Sequence, residues 1–470
     1  MTALIFKNAR VVRSSWLEED GRRLDCNPYM SGALEARDAL QRLSVPKEKL
    51  SEVTDRIFHA GREGRLWVDD PKYGVPFLGS SDILAADIST LPLIAKRQVE
   101  RNPLFTLGEH WTLITRSGTI GRMAYVRPDM AGMACSEHVL RVVPDPARIP
   151  PGFLYAFLSS RYGVPLVVSG TYGAIIQHIE PGHISDIEIP RFGPLLEMEI
   201  DGAIQRSAEL RSEFQKGIDL ATQQLLKYAG VEDCPPHKWN KLPSDAGFVE
   251  AKISVARTMR AANYSPRVKG LLGQIVKAGS IPLGQICEGG QLSTGARFKR
   301  IDCEPSEGVR LVGQKQGFWM QPEGRWITPR YAPAGIFAED ESVLIASSGT
   351  LGDNEVYCRP ILVTGRWLEF AYTQHFLRVV SGDPSFSGAF LFAYLRSEIA
   401  FRALRSMSTG SKQQEIHGEL VAKLPVPVLT DTQRSEIEML VRSAFSARDK
   451  ADTLEADALR KLEEKIAGES

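Results

Sequence analysis

The chain has 470 residues, with 57 basic and 57 acidic side chains and a formal net charge of zero. Hydrophobic residues at 43% and charged residues at 24% are ordinary for a soluble globular protein, and neutrality argues against a histone-like polyanion binder while leaving room for a local basic patch. No apolar run approaches the ~20 residues of a membrane span, the N-terminus lacks a signal-peptide profile, and six scattered cysteines without Cys-x-x-Cys fit reduced thiols of a cytoplasmic protein rather than a disulfide framework or zinc site.

Along the first half, the text from Tyr73 to Gly79 is followed by strand-like Thr112-Leu113-Ile114. That strand leads through Arg116 into the loop Ser117-Gly118-Thr119-Ile120-Gly121 and on to Arg122. His138 precedes β-branched strand text over Val139 to Val143, and Phe153 to Ser159 has a helical pattern. The segment Gly170-Thr171-Tyr172-Gly173-Ala174-Ile175-Ile176-Gln177-His178-Ile179 then leads to Ile189-Pro190. From Leu195 to Tyr228 there is no proline, and apolar residues recur at helical spacing (Ile200, Ile204, Phe214, Ile218, Ala221, Leu225, Tyr228). This predicts one amphipathic helix about 50 Å long at 1.5 Å per residue. Cys234-Pro235-Pro236 to Pro243 has the composition of an interdomain linker.

The second half repeats the first. Glu307 to Gly313 echoes Tyr73 to Gly79, Val343-Leu344-Ile345 leads into Ser348-Gly349-Thr350-Leu351-Gly352, and His375-Phe376-Leu377-Arg378-Val379-Val380 matches His138 to Val143. From those histidines onward the halves stay in register at an offset of about 237 residues: Ala389 to Leu395 is again helical, and Ser408-Thr409-Gly410-Ser411-Lys412-Gln413-Gln414-Glu415-Ile416 leads to Val426-Pro427. Thr430 or Asp431 caps a second long helix to about Ala467, with Ile437, Val441, Ala444, Ala451, Leu454, Ala458 and Leu462 on one side. A period this long is domain duplication, since solenoid repeats run roughly 20–50 residues. The expected class is α/β (α+β): domain 1 over 1–192, helix over 193–230, linker over 231–246, domain 2 over 247–428, helix over 429–470. Helices this long are expected to pair as an antiparallel coiled coil.

Enzymatic signatures are missing. The sequence has no P-loop, no His-Glu-x-x-His and no Gly-x-Ser-x-Gly. Asn27-Pro28-Tyr29 lacks one proline of the adenine-methyltransferase loop, and Glu250-Ala251-Lys252 has nuclease-like spacing without an upstream acid. His138 and His375 recur at one position, where a core hydrogen-bonding role is the first expectation.

The two Ser-Gly-Thr-Ile/Leu-Gly loops, the two Gly-containing segments (170–179 and 408–416) and the long helix after each Ile/Val-Pro exit resemble, over essentially the whole chain, the specificity (S) subunit family of type I restriction–modification systems. The elaborated start of each half, Trp16 to Tyr29 and Arg257 to Pro266, departs from that pattern and leaves open a related methylation-linked phage-defence system. The resemblance implies two tandem target-recognition domains reading a bipartite, asymmetric double-stranded DNA target, and paired helices that fix the spacer and dock two methyltransferase subunits. A motor-nuclease subunit is a further implied partner. The chain itself is then not an enzyme and has no metal site or cofactor; S-adenosylmethionine and ATP with magnesium belong to the partners.

Candidate DNA-binding residues are Arg116, Ser117, Thr119, Arg122, Tyr172 and Gln177 in the first repeat, and Ser348, Thr350, Ser411, Lys412, Gln413 and Gln414 in the second. Amides of Gln177, Gln413 and Gln414 can pair bidentately with adenine, and Lys412 or Arg116 can reach guanine or phosphate. The plainer alternative is that Gly173 and Gly410 make tight turns with solvated flanks. Two other functions stay open on the residues alone: a stand-alone DNA-modifying or cleaving enzyme with diverged motifs, and a protein-binding scaffold.

Overall fold

The computed structural model describes residues 12, 14, 32–118, 120–169, 178–243 and 258–468. Each repeat is built on a four-stranded antiparallel sheet. In the first, the order is Thr54–Phe58, Val139–Pro144, Thr112–Thr115, Met123–Tyr125; in the second, it is Gln291–Thr294, Phe376–Val380, Ser342–Ala346, Pro360–Val363. The central strands are rich in Val, Leu and Ile and are buried along their whole length apart from Val380 at the end of Phe376–Val380, as expected of strands covered on both faces.

Smaller elements repeat in the same order. Gly74–Leu78 runs parallel to Ala134–Cys135, as Val309–Val312 does to Ala371–Tyr372. The chain enters and leaves each domain through one antiparallel pair, Glu48 opposite Ile189 and Ile281 opposite Val426. The expected helices are present as Pro151–Ser159 and Gly388–Leu395. Both are apolar almost all round and lie in the two main hydrophobic cores, which join sheet, short helix and long helix. The mixed α/β class expected from the sequence is therefore the one observed, with two tandem domains each followed by a long helix.

The long helices span Pro194–Tyr228 and Asp431–Ala467. Proline at the first turn suits the first helix, where no N–H partner is lost. Of the two expected caps, Thr430 starts the second helix, in a capping box with Gln433, and Gly468 in left-handed conformation ends it. The helices run antiparallel: Ser207 Oγ donates to the Ala451 carbonyl (2.9 Å), the Phe214 and Phe445 rings meet edge to face at 5.1 Å, and the Tyr228 hydroxyl donates to Glu436 (2.6 Å). Midway along the pair a polar group is buried. Arg211 pairs with Asp452 (3.0 Å) and Glu455, and Glu455 also accepts from the Tyr155 hydroxyl of the first domain.

The segment after the first long helix packs closely. Val231 and Cys234 are buried, Asp233 accepts from the Ile399 N–H (3.0 Å), and Arg267 lies 4.0 Å from the centre of the Trp239 ring. No helix among the described residues is long and apolar enough to cross a membrane, and no group of three or more His, Cys, Asp or Glu among them could hold a metal ion.

Candidate nucleic-acid interface

At one pole of each domain, three chain segments that are distant in sequence are tied together by the same backbone bonds. In the first domain the Arg116 N–H donates to the His138 carbonyl (3.0 Å), and the Ile179 N–H donates to the Arg116 carbonyl (3.1 Å). In the second, Ser347 N–H donates to the His375 carbonyl (2.9 Å), and Ile416 N–H donates to the Ser347 carbonyl (3.2 Å). Positions 116, 138 and 179 answer 347, 375 and 416 in the repeat. Each pole thus joins the Ser-Gly-Thr loop, the histidine before the central strand and the end of the Gly-containing segment.

Side chains divide into those that build the poles and those that face outward. Arg116 is buried; its guanidinium donates to the Ile179 carbonyl (3.1 Å) and the Glu137 carbonyl (3.3 Å) and pairs with Glu180. Ser117 Oγ is 2.7 Å from His138 Nδ1. Ser348 is buried, its N–H donating to the Gln314 amide oxygen (3.1 Å) and its hydroxyl oxygen accepting from the Gln413 amide nitrogen (2.8 Å). Gln414 is 3% exposed and its amide donates back to the Ser411 carbonyl, closing the Ser408–Gly410/Gln414–Ile416 hairpin. Thr350, Ser411, Lys412 and Gln413 are exposed. Arg122 stands apart, paired with Glu323 of the second domain at 2.7 Å. Thr119, Tyr172 and Gln177 lie outside the described residues.

Gly121 is needed where it stands: its φ is +78°, and a Cβ there would fall 2.4 Å from Val168 Cγ2.

The histidines are not core residues, contrary to the expectation from their place beside a strand. The His138 side chain is 46% exposed, and His375 is half-buried. Each sits at the strand's entrance, where the sheet ends and solvent begins. Behind them is a group the sequence did not disclose. In the first domain Arg65 pairs with Glu137 (2.8 Å), whose other oxygen is 3.5 Å from His138 Nε2. In the second, Arg300 donates to the Gln374 amide oxygen (2.7 Å), and the Gln374 amide nitrogen is 3.2 Å from His375 Nε2, which must accept. Burial first, then Arg300 and Arg297, holds the His375 imidazole below its usual pKa against the pull of Glu415.

No family model and no curated protein matches the sequence. Among solved structures, the chain is similar to the crystal structure of a type I restriction–modification system S subunit from M. genitalium, at 13% identity and a TM-score of 0.35, covering 91% of this chain and 96% of that one. It is similar to the HsdS subunit from Thermoanaerobacter tengcongensis at 13% identity and a TM-score of 0.29, covering 91% and 98%. A chain from a study of complex assembly and conformational transition of the type I R-M system matches at 15% identity and a TM-score of 0.25, covering 91% and 98%.

Proposed function

We propose that this chain is the DNA-reading specificity subunit of a type I or related restriction–modification or defence system. The observation that carries the reading is the duplicated pole: one backbone scaffold built twice, carrying different side chains, on two domains joined by an antiparallel helix pair. A reader of two unlike half-sites needs that combination of shared frame and different surface. Domain 1 (1–192) and domain 2 (247–428) would each take one half of a bipartite target. The helices 193–230 and 429–470 would fix the spacer and dock two methyltransferase subunits, with a motor-nuclease subunit as further partner.

The exposed residues at the second pole, Ser411, Lys412 and Gln413 with Thr350, are the readers in this scheme. Gln413 offers an amide and Lys412 a cation to base edges in the major groove. Arg116, Ser117, Ser348 and Gln414 hold the poles in shape. Catalysis, S-adenosylmethionine and ATP with magnesium belong to the partners.

The test is mapping of modified bases in cells expressing this chain with its neighbouring methyltransferase, against cells lacking it. One bipartite motif methylated only when the chain is present supports the reading. Unchanged methylation with an active partner overturns it, and modification or cleavage of DNA by the purified chain alone would establish the enzyme alternative. Within the motif, K412A/Q413A should relax one half-site only, by roughly 1–3 kcal/mol of base discrimination.

A further inference from the structure

The strand that opens each domain's main sheet is followed by a segment that ends on the arginine behind the histidine. Phe58 lies opposite Arg141 in the first sheet and Ser293 opposite Arg378 in the second. Arg141 and Arg378 are equivalent in the repeat, so the sheet register makes Phe58 equivalent to Ser293. Counting on, Arg62 matches Arg297, Glu63 matches Phe298, Gly64 matches Lys299 and Arg65 matches Arg300. Two arginines therefore recur, Arg62 with Arg297 and Arg65 with Arg300, while the residues between them differ.

The two copies differ in how their charges are compensated. In the first, Arg65 is neutralised by Glu137, and Glu63 pairs with Arg101 beside the exposed Arg62. In the second, Gln374 stands where the first has Glu137, so the Arg300 charge is held in place by a hydrogen bond but not compensated by a carboxylate there. Arg297 and Lys299 are exposed, and neither is paired with a carboxylate among the described residues. Gly295 packs beside Gln374: a Cβ built there would be 3.5 Å from Gln374 Cα, an ordinary contact. Glu415 is the acid that acts on His375, and its pull is outweighed by burial, Arg300 and Arg297.

We propose that Arg297, Lys299 and Arg300, braced by Gln374 beside His375, form a DNA phosphate clamp on the second domain, and that the equivalent site on the first domain is electrostatically disarmed by Glu137. The clamp deepens the DNA-reading assignment and rests on it. An uncompensated cation fixed by an uncharged amide suits a phosphate oxygen, since no internal anion competes for it. A neutral histidine can still donate through Nδ1. Phosphate contacts position a protein without reading sequence. The chain as a whole is neutral, so a local cluster must supply the counterion release that dominates DNA affinity.

The experiment uses the chain assembled with its methyltransferase subunits and measures binding to a duplex carrying the mapped motif over a range of salt concentrations. Each lost phosphate contact flattens the log K against log salt slope by about 0.9. R297A/K299A should flatten it by about 1.8, and Q374E, which copies the first domain's arrangement, by about 0.9. E137Q in the first domain should steepen it. The methylated motif should stay the same in all three, and Q374E and E137Q, near-isosteric changes, keep the comparison free of gross misfolding. Binding with unchanged slopes in all variants overturns the clamp and leaves the DNA-reading assignment standing. A changed motif in R297A/K299A would make these residues base readers and overturn the phosphate assignment. Absence of any DNA binding by the assembled wild-type complex would sink the DNA-reading assignment and the clamp with it.

Discussion

Ala85 of the first domain and Trp319 of the second face each other across an antiparallel bridge, and they are the same position of the repeat. Around them, the Ala86 N–H donates to the Phe318 carbonyl (2.9 Å) and the Met320 N–H to the Leu84 carbonyl (2.7 Å). Each domain gives the other the same two backbone groups, the pattern of an isologous two-fold contact made within one chain. The antiparallel long helices obey the same local symmetry. The domains are therefore set relative to each other by direct contact as well as by the helices, so matched shortening of the helices would have to break this bridge.

Ala86→Pro removes one of the two bridging donors. Ala85, at φ −65° and ψ 136°, already has the backbone a residue before proline requires. The loss is worth about 1 kcal/mol and should widen the small-angle scattering envelope without lowering helix content. An unchanged scattering profile would show that the Ala86 bond is not needed to hold the domains together.

The Arg211–Asp452–Glu455 group sits inside the helix pair. Arg211→Met leaves two buried carboxylates without their cation and should cost about 3–5 kcal/mol, read as a shift in the urea midpoint. Replacing all three with well-packed apolar residues should recover most of that loss, because the desolvation cost disappears with the charges. A single variant as stable as the wild type would show that the group contributes nothing.

Acid sensitivity follows from Asp87 and Glu455. Burial would raise both carboxyls, but Arg396 beside Asp87, and Arg211 with the Tyr155 hydroxyl beside Glu455, outweigh it and hold both below their ordinary values. A lowered folded pKa gives stability that is present above the unfolded value, 3.8 for Asp87, and is lost as the pH falls through the folded one. Asp87→Asn should lower stability at pH 7 and flatten its decline below pH 4, measured by thermal melts across pH. A decline as steep as wild type would refute Asp87 as a source of the acid limb.

Where the long helices meet at Gly217, a Cβ on that residue would lie 2.7 Å from the Ala444 Cβ. Gly217→Ala should destabilise the chain by roughly 1–3 kcal/mol despite the better helix propensity of alanine. Ala444→Gly in the same chain should restore much of the loss. Independent, additive effects of the two changes in a double-mutant cycle would place the contact elsewhere.

The amino-acid sequence alone carried the duplication, both long helices and the strands around each Ser-Gly-Thr loop, because each leaves a periodic or repeated pattern within a few tens of residues. Helical spacing identified Ile200, Ile204, Ile437 and Val441 as buried, yet it could not show that Arg211 and Arg448 are buried among them. Periodicity ranks residues by apolarity, whereas a charged group is buried when partners from other elements meet it. The same limit governs the poles. Arg116 and Gln414 look like free polar readers until the fold supplies Glu180, Ile179 and the Ser411 carbonyl to them. Arg65 with Glu137 and Arg300 with Gln374 are more than 70 residues apart in the chain, and only the sheet register brings them together. Local pattern determined which elements exist; long-range pairing decided which side chains remain free to meet a ligand.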